Sequence, residues 1–159
     1  MEFATADLCD GYPQLIQVLE PLFRSYGGAN RFSGPIETVQ VYEDNVLVRE
    51  TLEREGKGRV LVVDGGGSLR CALVGGRLGL LALRNGWSGI LIHGCVRDTL
   101  ELARISLGIW ALNAVPRPGA KAGTGSVGKT VSFAGVSFDP GKILYADADG
   151  IILSDRQLA

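Results

Sequence analysis

The chain has 159 residues, 46% of them hydrophobic, and a formal net charge of -1 at pH 7. This length suits one domain over residues 1–159 with a substantial core. The near-neutral charge and the absence of any Lys/Arg run exclude the electrostatic footprint of direct nucleic-acid binding, and the longest apolar region, Leu78 to Ile92, is broken by Arg84, Asn85 and glycines, which excludes a membrane span.

In chain order, Thr5 is placed to cap a short helix running to about Asp10, with Gly11-Tyr12-Pro13 ending it. Gly27-Gly28 marks a turn. Gly34 to Tyr42 carries Ile36, Thr38, Val39 and Val41 and reads as a strand. Asp44 is expected to cap a helix with Val46, Leu47 and Leu52 inward, ended by Gly56. Val60 to Val63 is a continuous apolar run and reads as a buried central strand. After Gly65-Gly66-Gly67, the apolar stretch to Asn85 reads as helical, bent at Gly75-Gly76 and capped by Gly86.

Gly89 to Ile92 reads as a strand, Arg97 to Arg104 as a helix and Ile109 to Leu112 as a strand. Residues 116–129 are expected to be loop, with two prolines and four glycines. Thr130 to Phe138 alternates like a hairpin turning near Ala134-Gly135. Ile143 to Ala146 and Ile151 to Leu153 form a final strand pair. Helices fall in the first and middle parts, and the end is β-rich.

Cys9, Cys71 and Cys95 are odd in number and form no CxxC, so reduced thiols and a cytoplasmic setting are expected. The N-terminus lacks a basic region followed by an apolar run, so no signal peptide is expected.

Three segments invite a chemical reading. The first is Arg97-Asp98-Thr-Leu-Glu101, after an apolar strand. If a helix begins near Arg97, Asp98 and Glu101 share one face, three residues apart. Two carboxylates beside an arginine suit a hard cation and an anionic substrate, whereas ordinary helix capping explains the same residues without chemistry. On local sequence the capping reading is favoured.

The second is Gly123-Thr-Gly-Ser-Val-Gly-Lys-Thr130, which fits the P-loop pattern. No clear strand leads straight in and no helix pattern follows, so the context fails. The third, Gly65-Gly-Gly-Ser-Leu-Arg70, lacks the third glycine of a dinucleotide fingerprint but could receive a small anion at a helix start. His93 is the only histidine, so a zinc-type histidine cluster is excluded, and a core or interface role is expected.

Several segments together resemble the RraA family, which comprises the regulator of ribonuclease E activity A and the class II 4-hydroxy-4-methyl-2-oxoglutarate aldolases. They are Thr5 to Asp10, Phe23 to Gly28, Phe32 to Ile36, Val41 to Asn45, Val60 to Leu69, Gly86 to Gly89, His93 to Asp98 and Leu144 to Ile151. The resemblance implies an α/β fold, a layered α/β/β swivelling-domain sandwich, usually assembled as a homotrimer.

The same resemblance implies roles. The Arg97 counterpart is catalytic and holds substrate. The Asp98 counterpart binds a divalent metal, expected to be Mg²⁺, and Glu101 would support a metal-bound water. The segment Gly75, Gly76, Arg77, Leu78 corresponds to the loop whose backbone receives the substrate carboxylate. The aldolases carry an acidic residue separated from the Arg-Asp pair by twenty residues, and here that position is Gly76. This departure implies weakened activity and predicts that Gly76→Asp would raise turnover.

The function so implied is cleavage of 4-hydroxy-4-methyl-2-oxoglutarate to pyruvate by a metal-dependent retro-aldol reaction, with oxaloacetate decarboxylation as a side activity. The partner is then a small 2-oxo acid. The competing reading is a non-catalytic regulator that binds ribonuclease E.

Overall fold

The computed structural model describes residues 2–159. The elements in order are α1 (Thr5–Gly11), β1 (Ile16–Val18), β2 (Arg24–Ser25), β3 (Phe32–Gln40), α2 (Val46–Leu52), β4 (Val60–Asp64), β5 (Ala72–Val74) and α3 (Gly76–Arg84). There follow β6 (Gly89–Val96), α4 (Thr99–Leu102), β7 (Gly108–Ala114), β8 (Ser126–Val127), β9 (Val131–Phe133), β10 (Val136–Phe138), β11 (Ile143–Asp147) and β12 (Gly150–Ser154).

The second half of β3 starts a parallel set, β3-β4-β6-β7, in which Ile36, Val60, Gly89 and Gly108 stand side by side. The first half of β3 pairs instead with β11, antiparallel, and β12 and β1 continue that side. One long strand therefore serves two sheet segments.

Alternation along the central strands separates two cores, as the period of two requires. Leu61, Val63, Ile90, Ile92 and Ile109 face Leu52, Ala82 and Leu102 of the helices. Val60, Val62 and Leu91 face the hairpin residues Phe133 and Phe138 and the strand residues Leu144 and Leu153. The result is the expected α/β/β layering. Phe32 closes the junction: its ring lies over Gly89 and Gly108, where any Cβ would strike ring atoms. Glycine is needed there for close approach.

The structure corrects several sequence expectations. Residues 65–75 are not helical. Gly66 and Gly67 take positive φ, and Ala72–Val74 form β5 along the end of β6. The apolar run there is a strand buried in the sheet, which periodicity cannot distinguish from a short buried helix. Gly75-Gly76 is accordingly where α3 begins, not a bend within a helix. Gly86, at φ 81, follows the Asn85 cap as expected.

The strand from Gly89 runs on to Val96, and the helix after it shrinks to Thr99–Leu102. Helix α2 ends at Leu52, and Gly56 is instead buried against Trp87. Val48 and Thr51, with Leu52, are its buried positions, while Val46 and Leu47 are half-buried. The short strands β1 and β2 carry no alternation long enough to read in advance. The hairpin turn at Ala134-Gly135 and the β11-β12 pair lie where expected. Among the described residues no helix is long and apolar enough to cross a membrane.

Thr5 does not cap α1: the cap position is Ala4, and the Thr5 hydroxyl is committed elsewhere. It donates to Asp147 Oδ1 at 2.6 Å, and the Thr5 amide donates to Oδ2 at 2.7 Å. Asp147 is only 8% exposed. Burial alone would push its pKa up, but the Thr5 bonds and the Asp149 amide outweigh it and hold the carboxyl below its ordinary value.

A depressed carboxyl stabilises the fold above the unfolded-state pKa, and that contribution disappears as pH falls through the folded value. Asp147→Asn should therefore cost about 1–3 kcal/mol at neutral pH. The deficit relative to the unsubstituted chain should shrink as pH drops below about 4. Urea titrations over a pH series check this, and a deficit independent of pH would refute it.

Candidate active site

Strands β5 and β6 run parallel and end together, with Val74 beside Val96. The carboxyl ends of parallel strands are where open α/β sheets place ligands. Here both chains turn at once. Gly75 leads into α3, while Arg97 and Asp98 lead into α4. The Arg97 amide donates to the Val74 carbonyl at 3.0 Å and locks the two turns together.

Asp98 occupies the left-handed region, at φ 59 and ψ 44. This conformation is strained for a residue with a Cβ, and such outliers concentrate at functional sites. Asp tolerates it better than most. The Asp98 Oδ2 accepts the Gly76 amide at 2.8 Å. Gly75 must be small: a Cβ there would stand 2.6 Å from Asp98 Oδ2 and 3.2 Å from Arg97 Cγ.

The turns open onto a cleft of about 820 Å³. Gly75, Arg77, Leu78, Arg97, Asp98 and Glu101 line it, so the structure gathers nearly all the residues expected from sequence. Gly76 differs. It is buried, and its amide is already taken by Asp98. The amides left to meet an anion are those of Arg77 and Leu78, in the first turn of α3. Such amides have no acceptor within the helix and sit at the positive end of its dipole.

Glu101 explains the glycine. A Cβ on Gly76 would fall on Glu101 Oε2 and stand 3.1 Å from its Cδ. The Glu101 carboxylate therefore fills the space beside Asp98 that a side chain at position 76 would occupy.

Sequence reasoning missed part of the wall. Arg49 of α2 and Glu53 at its C-terminal cap, Arg84 of α3, and Pro118 and Lys121 of the long loop also line the cleft. Arg49 pairs with Glu53 at 3.5 Å, and Lys121 Nζ donates to Asn45 Oδ1 at 3.0 Å. No local pattern marks these residues, because α2 and the loop meet α3 only through the fold. The lining has five cations (Arg49, Arg77, Arg84, Arg97, Lys121) against three carboxylates (Glu53, Asp98, Glu101). That excess favours an anionic ligand.

Among the described residues no three His, Cys, Asp or Glu side chains converge as a metal cluster. Asp98 and Glu101 alone fit Mg²⁺, which often takes one or two protein carboxylates and keeps its waters. They do not fit a structural zinc. Oδ2 of Asp98 is engaged by Gly76, and Oδ1 is the atom left for a cation.

His93 lies elsewhere. Its ring stacks on Phe133 at 4.7 Å, and its Nδ1 stands 3.8 Å from Asp64 Oδ1. It takes no part in the cleft, in keeping with the core reading. The Gly65 to Arg70 stretch opens no helix, so it offers no helix-start anion site. Ser68 and Arg70 bind Glu43 Oε2 instead, each at 2.6 Å.

The G-x-x-x-x-G-K-T stretch is not a P-loop. β8 lies inside it, paired with β3, and β9 follows Thr130. Its leading amides are occupied by Asp44. Titration with ATP or GTP and Mg²⁺ in a calorimeter should show no binding. A micromolar dissociation constant would refute this assignment.

Comparison with known proteins shows the family and the fold. Residues 5–153 match the RraA-like family model, described as Aldolase/RraA. A protein of Aromatoleum aromaticum named "Putative 4-hydroxy-4-methyl-2-oxoglutarate aldolase" is 50% identical over 158 residues, covering 99% of each chain. A protein of the same name from Burkholderia mallei is 54% identical over 163 residues, again with 99% of each covered.

Among solved structures, the RNA-processing inhibitor RraA from Thermus thermophilis superposes with a TM-score of 0.96 at 48% identity, covering 100% of this chain and 96% of that one. A Geobacillus kaustophilus structure named as an S-adenosylmethionine: 2-dimethylmenaquinone methyltransferase has the same TM-score and identity, covering 98% and 97%. The names diverge while the fold does not, so function must be argued from the site.

Proposed function

This chain belongs to the RraA-like family, and from that premise we propose that it is a divalent-metal-dependent lyase that releases pyruvate from 4-hydroxy-4-methyl-2-oxoglutarate and decarboxylates oxaloacetate. The observation that carries this is the joint turn at the ends of β5 and β6. It sets Arg97, a strained Asp98, the Glu101 carboxylate and the open amides of α3 around one cation-rich cleft.

A divalent cation such as Mg²⁺, held by Asp98 and supported by Glu101, would act as a Lewis acid toward the substrate's 2-oxo group. The Arg77 and Leu78 amides receive the adjacent carboxylate at the positive end of α3. Arg97 extends along Gly75, with Nη1 3.4 Å from the Pro116 carbonyl, and leaves the rest of its planar fork for the oxygen that gains charge as the carbon–carbon bond breaks. Glu101 is the carboxylate placed to accept the substrate's hydroxyl proton in the retro-aldol direction. Oxaloacetate would lose carbon dioxide and leave the pyruvate enolate, as the retro-aldol cleavage does. That step needs no base, and in both reactions a proton from solvent or from protonated Glu101 returns to the enolate carbon to complete pyruvate.

A second reading is a protein-binding inhibitor of a ribonuclease, favoured by the 48% identity to the Thermus RraA. One assay separates the two. Pyruvate release from each substrate is followed with Mg²⁺ and with excess chelator. Turnover that requires the metal supports the lyase, and equal rates in both conditions would reject it.

A further inference from the structure

The G-x-x-x-x-G-K-T stretch is not built as a P-loop, yet its leading amides converge on an anion. That anion is the chain's own Asp44, 2% exposed. Oδ2 accepts the Ala122 amide at 2.8 Å, the Gly123 amide at 2.9 Å, and the amide and hydroxyl of Thr124 at 3.4 Å each. Oδ1 accepts the Val46 amide at 3.0 Å. Burial alone would raise the pKa of Asp44, but these amides outweigh it and hold the carboxyl below its ordinary value, so it is charged at neutral pH.

The loop just before these amides is joined to the cleft wall. The Ala120 amide donates to the Glu43 carbonyl at 2.7 Å, and the Asn45 amide donates to the Ala120 carbonyl at 3.2 Å. Lys121 follows at once, facing the cleft and bonded to Asn45. Residues 120–125 are all exposed and bury no apolar side chain to hold the loop. Its position must come from hydrogen bonds, and Asp44 accepts more of them than any other side chain at the loop.

We propose that Asp44 is a positioning residue of the cleft: an internal carboxylate that fills the anion nest of residues 122–124 and thereby fixes Lys121 where its ammonium faces the bound dianion. The nest logic is that of phosphate-binding loops, with a carboxylate from the same chain as the resident anion. The role rests on the lyase reading for its substrate, while the latch itself does not.

Formate, a small free carboxylate, tests it. The measurements are hydrogen exchange at Ala122, Gly123 and Thr124, and KM and kcat for oxaloacetate with Mg²⁺, in the unsubstituted chain and in Asp44→Ala, each with and without formate. In Asp44→Ala the three amides should exchange faster. KM should rise roughly tenfold or more, as expected for one lost charge-assisted contact, with a smaller change in kcat. Formate should reverse both effects in the variant and neither improve nor protect the unsubstituted chain.

Adding Lys121→Ala to Asp44→Ala should raise KM no further than Lys121→Ala alone. Should Asp44→Ala fail to fold, Asp44→Asn keeps one acceptor oxygen, and exchange and KM are then compared without formate, because its amide still fills the nest. Unchanged exchange and KM there would overturn the proposal. A residue that merely stabilises the fold would lower Tm without moving KM or responding to formate, and that result would overturn the proposal. Unchanged exchange in the folded variant would do the same. If the unsubstituted chain releases no pyruvate, the lyase reading fails separately, and the exchange and formate arms still decide the latch.

Discussion

Asp98→Ala is expected to lower metal-dependent pyruvate release by roughly a hundredfold or more, because a Lewis acid in such a site is worth several kcal/mol. The substitution has two effects that must be separated. It removes Oδ1, the oxygen assigned to the cation, and it puts alanine at φ 59 while leaving the Gly76 amide without its acceptor. Asp98→Asn separates them. Asparagine tolerates the left-handed region and can still accept from Gly76, but it carries no charge.

Both variants should remain folded, since Asp98 is exposed at the cleft rim. Both should lose the response to Mg²⁺. Asp98→Asn with near-normal, metal-dependent turnover would show that the charge is not what the cleft uses. A matching loss of Mg²⁺ affinity, measured by calorimetry on the protein without substrate, would tie the kinetic effect to the cation.

Gly76→Asp is expected to lower turnover by roughly tenfold or more, the size of a lost general acid–base contribution. This reverses the expectation drawn from the family's acidic position. Gly76 is not at positive φ, so an added side chain meets no backbone strain of that kind. The obstacle is Glu101, whose Oε2 occupies the Cβ position. A new carboxylate must displace the existing one and repel it, and Asp98 adds a third negative charge.

Glu101→Ala alone should also lose activity. The double variant, Gly76→Asp with Glu101→Ala, should recover part of what each single change loses, because it restores one carboxylate beside Asp98 without the collision. Steady-state kinetics on both substrates check this. A rise in turnover for Gly76→Asp alone would show that Glu101 does not stand in for the missing acid. A double variant no better than the worse single one would show that the two positions are not interchangeable.

The parts that could be read from sequence were those with local physical causes. Val60 to Val63 is a short β-branched-rich apolar run bounded by Arg59 and Asp64, and it is the buried strand this pattern suggests. Ala134-Gly135 between two alternating runs demands a tight turn, and the structure places both residues at positive φ. Arg97, Asp98 and Glu101 were marked by type and spacing, and they do share the cleft. The P-loop pattern was rejected on its flanks, and that rejection rests on the same absence of a following helix that the structure shows.

The failures share another cause. Residues 72–74 read as helix because three apolar residues look the same in a buried strand and a buried helix, and only pairing with β6 decides. Thr5 reads as a cap because its hydroxyl suits one, but Asp147, far along the chain, claims that hydroxyl. Arg49 and Lys121 gave no signal at all, since neither lies in a chemical motif.

Sequence alone determined the buried strands, the final hairpins and the residues that carry charge at the strand ends, because hydrophobic period and residue chemistry act over a few neighbours, while the layered α/β/β architecture was implied only by the family resemblance. Tertiary structure decided which carboxylate stands beside Asp98, which amides remain open to an anion, and what fills the glycine-rich loop. Each of those depends on groups 22 or more positions apart, Gly76 with Asp98 and Glu101 and Asp44 with Thr124, brought within contact distance by packing.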